Sequence, residues 1–331
     1  MAVTASTLAN PSNRSDTRSP NDSAGYLNPA TLMQVQSLEL RAKAVVEGFF
    51  NGLHRSPYHG FSVEFTEYRE YSPGDDLRYL DWRLFARSDR YYVKRFEDET
   101  NLRCYLLVDN SKSMGFSSGE FTKADYGKTL AASLAYFLTT QRDACGLLTF
   151  DEHIDENIPP RYRPGHMRRL LLALEKPVSG KATDISKPLE QIAQQVSKRG
   201  MMILISDLLA PIESLETNLA YLTARGHEVI LFQILDPAEL TLSFDAPVLF
   251  EDLESGQELY IDPDDARADY QRRFQQHGDE IRRTCDKLGI ARHQFSTDTP
   301  LELALIEFMA GRMHRSSKVT RRNTRPARRP A

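Results

Sequence analysis

Hydrophobic positions along the chain switch between two periods, and the switches mark out the elements. Residues 1–25, rich in Ser, Asn, Asp and Pro, carry no apolar pattern and cannot offset the entropy of ordering. Leu38, Ala42, Val45 and Phe49 then recur at helical spacing, predicting a helix from about Pro29 to Phe50. Tyr105 to Val108 is a continuous apolar run, the mark of a strand buried on both faces. Thr122 caps a helix to about Gln141 that places Leu130, Leu134, Phe137 and Leu138 on one side. Ala144 to Phe150 is a second strand, turned back by Asp151 and Glu152 into an edge strand over His153 to Ile158. Gly165 to Leu174 forms a short helix with Arg168 and Arg169 outward, and Ile185, Leu189, Ile192 and Val196 stripe another. The strand Met201 to Ile205 precedes a helix begun at Pro211 and stopped at Gly226, and Val229 to Leu235 is again apolar throughout. Strands alternating with helices imply right-handed crossovers and an α/β, doubly wound, mainly parallel sheet. A hairpin over Val248 to Ile261 interrupts the rhythm. A long helix follows, carrying Tyr270, Phe274, Ile281, Cys285 and Leu288 and stopped by Gly289; an edge strand over Ile290 to Ser296 comes next. Thr299, Pro300, Leu301 and Glu302 have the spacing of a capping box for the last helix.

Composition narrows the class. The chain has 331 residues, 40% hydrophobic and 27% charged, which fits a globular protein. No run approaches the roughly 18 apolar residues of a membrane span. The first residues lack the apolar core of a signal peptide, so the expected location is the cytoplasm. Three cysteines, two of them flanking apolar strands, point to free thiols rather than to a disulfide framework or a zinc site. Net charge is −4, yet Arg312 to Ala331 is basic without a single acid, which leaves the body clearly acidic. That tail has no interleaved aromatics; nucleic-acid binding through it is a minor alternative to a solvated end.

The candidate chemistry lies at strand ends. Tyr105 to Val108 runs directly into Asp109, Ser111 and Ser113. In open parallel sheets ligands bind beyond the carboxyl ends of the strands, and hard cations such as magnesium take oxygen ligands of this kind. Those three residues alone fit the start of a loop or a helix cap equally well. Two further segments favour a site: Gly180 to Asp184 supplies Thr183 before a helix, and Met201 to Ile205 ends in Ser206 and Asp207. The set of Asp109, Ser111, Ser113, Thr183 and Asp207 resembles the metal-ion-dependent adhesion site of von Willebrand factor A domains, DxSxS with a separate Thr and Asp. The resemblance implies a von Willebrand A-like (Rossmann-like) sheet holding Mg2+ or another divalent cation. In it Ser111, Ser113 and Thr183 bind the metal directly, Asp109 and Asp207 act mostly through water, and one position is left for a partner's carboxylate.

A second signature precedes the first strand. Phe61 to Glu99 contains REYSPGDDLRYLDW followed by AR, with a turn at Ser72 to Asp75 between two aromatic, β-prone runs. Arg69, Asp75, Asp76, Arg78, Asp81 and Arg87 alternate in sign around Trp82, either as an internal salt-bridge lattice or as a surface for a partner. This string, followed some twenty residues on by LLVDNSKSM, resembles the bacterial domain-of-unknown-function 58 family over roughly residues 40–312. The resemblance implies a protein that works with a MoxR-type AAA+ ATPase; many relatives carry two membrane helices ahead of the signature, and this sequence has none there.

The domain organisation expected is a disordered residue range 1–25, a helix plus small β-rich attachment over 26–100, a von Willebrand A-like domain over 101–312 and a basic tail over 313–331. Gly115 to Gly119 matches GxSxG but lies too far past the strand to be a hydrolase elbow. Gly180 and Lys181 lack the Ser or Thr and the first Gly of a phosphate-binding loop. His153, His166, His227 and His293 have no triad partners in recognisable order. The reading is a non-enzymatic, metal-dependent protein-interaction module, an adaptor of a MoxR-type ATPase that captures a client offering a carboxylate. A magnesium-dependent phosphohydrolase built on Asp109 is the enzymatic alternative, against which Ser111 stands where a second acid is needed.

Overall fold

The computed structural model describes residues 26–55, 67–70, 91–95, 102–177, 186–196, 198–242, 248–251, 258–261 and 263–309. Its centre is a six-stranded sheet formed by β3 (Arg103–Asp109), β4 (Ala144–Phe150), β5 (Ile154–Arg161), β6 (Met201–Ser206), β7 (Glu228–Leu235) and β10 (Ala291–Ser296). The spatial order is β10-β7-β6-β3-β4-β5, parallel throughout except for the antiparallel edge strand β5. Two short antiparallel ribbons stand apart from it: β1 (Glu67–Glu70) with β2 (Tyr92–Arg95), and β8 (Val248–Glu251) with β9 (Glu258–Ile261). The α/β, doubly wound, von Willebrand A-like architecture expected from the sequence is therefore the one found.

Every residue of β3 from Cys104 to Asp109 is buried, because successive side chains feed two separate cores. Leu106 and Val108 join one cluster, Tyr105 and Leu107 the other. The first cluster takes the apolar faces of α2 (Leu38–Arg55), α3 (Lys123–Thr140), α4 (His166–Leu174) and a helix α9 over residues 301–309. The second takes α5 (Ser186–Gln195), α6 (Ile212–Ala224) and α8 (Pro263–Leu288). Cys104 and Cys145 are paired in register on β3 and β4, both buried and in no disulfide, and burial pushes Cys145 up to about 12.

The first helix differs from the expectation. It breaks into α1 (Pro29–Met33), capped by Asn28, and α2. Leu38, Ala42, Val45 and Phe49 are all buried, and they pack into the same cluster as Leu106, Phe137 and Phe308. Phe49 meets Phe137 edge-on at 5.6 Å between ring centroids. The boundary drawn near residue 100 thus does not separate this helix from the main domain, because its apolar stripe needs the sheet's helical layer to cover it. The turn at Ser72 to Asp75 lies outside the described residues; β1, just before it, pairs with Tyr92–Arg95.

The expected capping box at Thr299 is also resolved otherwise. The Thr299 N–H donates to Ser296 O at 2.9 Å, and the buried Glu302 Oε1 accepts instead from Leu27 N–H at 2.9 Å. Gly48 makes this possible: a Cβ there would stand 2.8 Å from Glu302 Oε1. The second carboxyl oxygen, Oε2, has no partner, and burial raises the Glu302 pKa.

A raised folded-state pKa means that the ionised form costs stability, with the penalty present at neutral pH and absent below the unfolded pKa of about 4.3. Glu302→Gln keeps an acceptor for Leu27 and removes the charge. It should raise the midpoint of thermal unfolding at pH 7, and the two proteins should converge near pH 4. A variant that is less stable than wild type at pH 7 would contradict this.

Candidate metal centre

Strand order reverses between β3 and β6: the chain leaves β3 toward β4 on one side, then returns to build β6 and β7 on the other. Such a switch point opens a crevice at the carboxyl ends of the two strands. Asp109 ends β3, and Ser206 with Asp207 ends β6. The structure brings Asp109, Ser111, Ser113 and Asp207 together here, all buried. Thr183 lies outside the described residues, as do Asp75, Asp76, Arg78, Asp81, Trp82 and Arg87; Arg69 is in β1, paired in register with Val93.

The loop after β3 is held from within. Asp109 Oδ1 accepts the Ser111 N–H at 2.8 Å, an Asx-type turn that bends the chain into a short 3-10 segment over Lys112–Gly115. That bend sets the Ser111 and Ser113 hydroxyls 2.9 Å apart. Asp109 Oδ2 accepts the Ser206 hydroxyl at 2.6 Å, tying the ends of the two central strands. The Asn110 N–H donates to Phe150 O at 2.7 Å, while the buried Asn110 Oδ1 has no partner.

Asp207 sits on an equally determined turn. Leu208 adopts φ 58°, a left-handed conformation rare for a bulky side chain. Four bonds hold it: Leu208 N–H to Ser206 Oγ at 3.0 Å, Leu209 N–H to Asp207 Oδ1 at 3.2 Å, Gln233 Nε2 to Asp207 O at 2.9 Å, and His277 Nε2 against Leu208 O at 2.9 Å. Strain of this kind persists where the surroundings over-determine it, and it clusters at functional sites.

Sequence reasoning missed three participants. Ser206 was noted only as a strand end. Lys123 is fully buried, its Nζ donating to Asp207 Oδ2 at 2.8 Å and to Glu239 Oε1 at 2.6 Å, with the Phe116 ring 5.9 Å away. Glu239 lies in α7 (Pro237–Thr241), where its Oε2 accepts the Asp236 N–H at 2.8 Å in a capping box; Asp236 in turn accepts from Ser118 of the β3–α3 loop. One signal for Lys123 was available. It occupies the first helical position after the Thr122 cap, the positive end of the helix dipole, where a cation is disfavoured unless carboxylates compensate it.

The charges follow the packing. Burial, then the neighbouring Asp207, pushes the Asp109 carboxyl up to about 6 despite the bonds from Ser206 and Ser111. Burial also acts to raise Asp207, but the Lys123 ammonium outweighs it and holds Asp207 below the usual carboxylate range. Glu239 is raised by burial, and Lys123 is raised because its two carboxylates outweigh its own burial.

Two hydroxyls, a carboxylate short of positive charge and an orphaned amide oxygen in the same loop make a hard, all-oxygen donor set. It fits magnesium, calcium or manganese rather than a soft metal. Among the described residues no group of three His, Cys, Asp or Glu forms a conventional metal cluster.

With this geometry in view, the family model described as "Protein of unknown function DUF58" matches residues 67–280, more than half of the chain. The chain belongs to the DUF58 family. The uncharacterized protein Rv1480 of Mycobacterium tuberculosis is 29% identical over 290 residues, spanning 86% of this DUF58 chain and 90% of the relative. Among solved structures, an aerotolerance-related membrane protein from Bacteroides fragilis aligns with a TM-score of 0.42 at 12% identity, covering 62% of this chain and 97% of the other. BatB from Bacteroides thetaiotaomicron aligns at 0.42 and 10%, covering 63% and 98%. Among the described residues of this chain no helix is long and apolar enough to cross a membrane.

Ser206→Ala removes a charge-assisted bond to Asp109 and leaves the Leu208 N–H without its acceptor. A loss of about 2–3 kcal/mol in chemical denaturation is expected; a loss below 0.5 kcal/mol would show that the tie between the strands contributes little.

Proposed function

We propose that this DUF58 protein is a non-enzymatic, metal-dependent protein-interaction module, acting in the cytoplasm as an adaptor between a MoxR-type AAA+ ATPase and client proteins. The observation that carries the reading is the DxSxS loop itself: Ser111 and Ser113 present a buried hydroxyl pair at the sheet's switch point, with Asp109 and Asp207 fixed behind them. Membership of the DUF58 family and the von Willebrand A-like sheet give the loop its context.

The chain's own residues divide the work. Ser111 and Ser113 offer lone pairs as direct ligands, and Thr183 is the candidate third. Asp109 and Asp207 supply negative charge while Ser111 N–H, Ser206 and Leu209 N–H fix the orientation of their carboxylates. A divalent cation, magnesium foremost, bound there supplies a positive centre whose remaining position a partner's Asp or Glu completes. Burial of the set excludes competing water and strengthens the contact. Hydrolytic chemistry finds less support, since Ser111 stands two residues after Asp109 where a second acid would be needed. The basic tail and the Arg69 to Arg87 segment remain candidate contacts for the ATPase.

The test is capture of the tagged protein from its own cell extract with magnesium, with chelator, and with Asp109→Ala. A AAA+ ATPase retained with magnesium and intact Asp109, and lost by at least tenfold in the other two arms, is expected. Retention indifferent to both would move the interface away from the loop.

A further inference from the structure

Lys123 has no role in the donor set above, yet it is among the largest fully buried side chains in the described structure. Ammonium groups are rarely taken from water without a reason, because the desolvation penalty is offset only by close, well-aligned carboxylates. Here both are present. Nζ lies 2.8 Å from Asp207 Oδ2 and 2.6 Å from Glu239 Oε1, and no water-facing route is left, since the side chain is 0% exposed.

The position of this ammonium matters more than its partners. It sits on one of the two carboxylates of the candidate metal centre, and Asp109, the other, has only neutral donors. The carboxylates in direct contact with Lys123 are Asp207 and Glu239, and Asp109 lies beside Asp207. With the two aspartates matched by a divalent ion, Lys123 and Glu239 form a balanced pair of their own. The geometry already allows this exchange, because Lys123 contacts both carboxylates at once and can release Asp207 without losing Glu239.

We infer that Lys123 is a built-in counter-ion of the metal centre: its bond to Asp207 competes with a divalent cation for that carboxylate, and so sets the affinity for that cation. The inference rests on the metal-dependent reading given above. A cation approaching Asp207 meets the Lys123 charge at short range inside a dry site, where repulsion is weakly screened. Affinity is thereby lowered, and a partner's carboxylate that adds its own negative charge raises it again. Glu239 extends the link, since the same residue bonds Asp236 N–H, and Asp236 holds Ser118 in the loop that carries Ser111 and Ser113.

The experiment titrates Mn2+ into chelator-stripped full-length protein and follows free Mn2+ by its electron paramagnetic resonance signal. Lys123→Met should bind Mn2+ at least tenfold more tightly than wild type, and the gain should vanish when Asp109→Ala is added. Its metal-free unfolding midpoint should fall, and Mn2+ should recover more of it than it adds to wild type. Should Lys123→Met not fold without metal, Lys123→Met/Glu239→Gln removes one uncompensated charge and should still bind several-fold more tightly than wild type. Equal or weaker binding by the folded variant overturns the role of Lys123 while leaving the metal reading intact. Absence of Mn2+ binding by wild type and variants alike overturns the metal reading, and this inference with it.

Discussion

Two carboxylates emerging side by side from neighbouring buried strands impose the constraint that the rest of the site answers. Asp109 and Asp207 are fully buried at the carboxyl ends of β3 and β6, where repulsion is strong and solvation weak. Each is stabilised differently. Asp109 receives neutral donors, Ser206 from the neighbouring strand and Ser111 N–H from its own loop. Asp207 receives a charge, Lys123, brought by the first turn of α3. The asymmetry leaves one aspartate satisfied by a cation and the other by neutral donors alone, and the Lys123–Glu239 pair carries the link on to α7.

Why the carboxylates meet at all follows from β3. An uninterrupted apolar strand can be covered only by helices on both faces, and parallel neighbours require crossovers that place those helices there. The reversal of strand order between β3 and β6 then fixes where the crevice opens. Fold and site are in this sense one problem: residues 104–108 build the sheet's centre, and the next residue along is the first site carboxylate.

How much of this was legible in the sequence depended on range. Continuous apolar runs and a period of 3.6 identified the central strands, the crossover helices and the Gly289 stop, because those signals are local and redundant. DxSxS and the Ser206–Asp207 strand end were legible as small oxygen-bearing residues where strands finish. Contacts set by distant partners were not. Lys123 looked like an ordinary residue after a helix cap, since its two carboxylates lie 84 and 116 residues further on. Glu302 had the spacing of a capping residue, but the N–H of Leu27 competed for it across the whole fold. The break between α1 and α2, and the membership of α2 in the main core, likewise came from packing that no window of sequence contains.

The Glu302 to Leu27 bond has a further consequence in the order of folding. Its partners are 275 residues apart, and α2 shares one hydrophobic cluster with α9. A chain synthesised from its N-terminus can lay α2 on α3 early, since Phe49 packs on Phe137, but the Leu27 N–H and the edge of α2 that meets Phe308 wait until almost the entire domain has emerged. Non-local closure of this kind is slow and exposes sticky surface along the way. Assembly of the candidate metal centre waits on the same event only in part, for β3, α3, β6 and α7 are all complete before α9 arrives. The elements that carry the candidate site are thus all synthesised before the last helix.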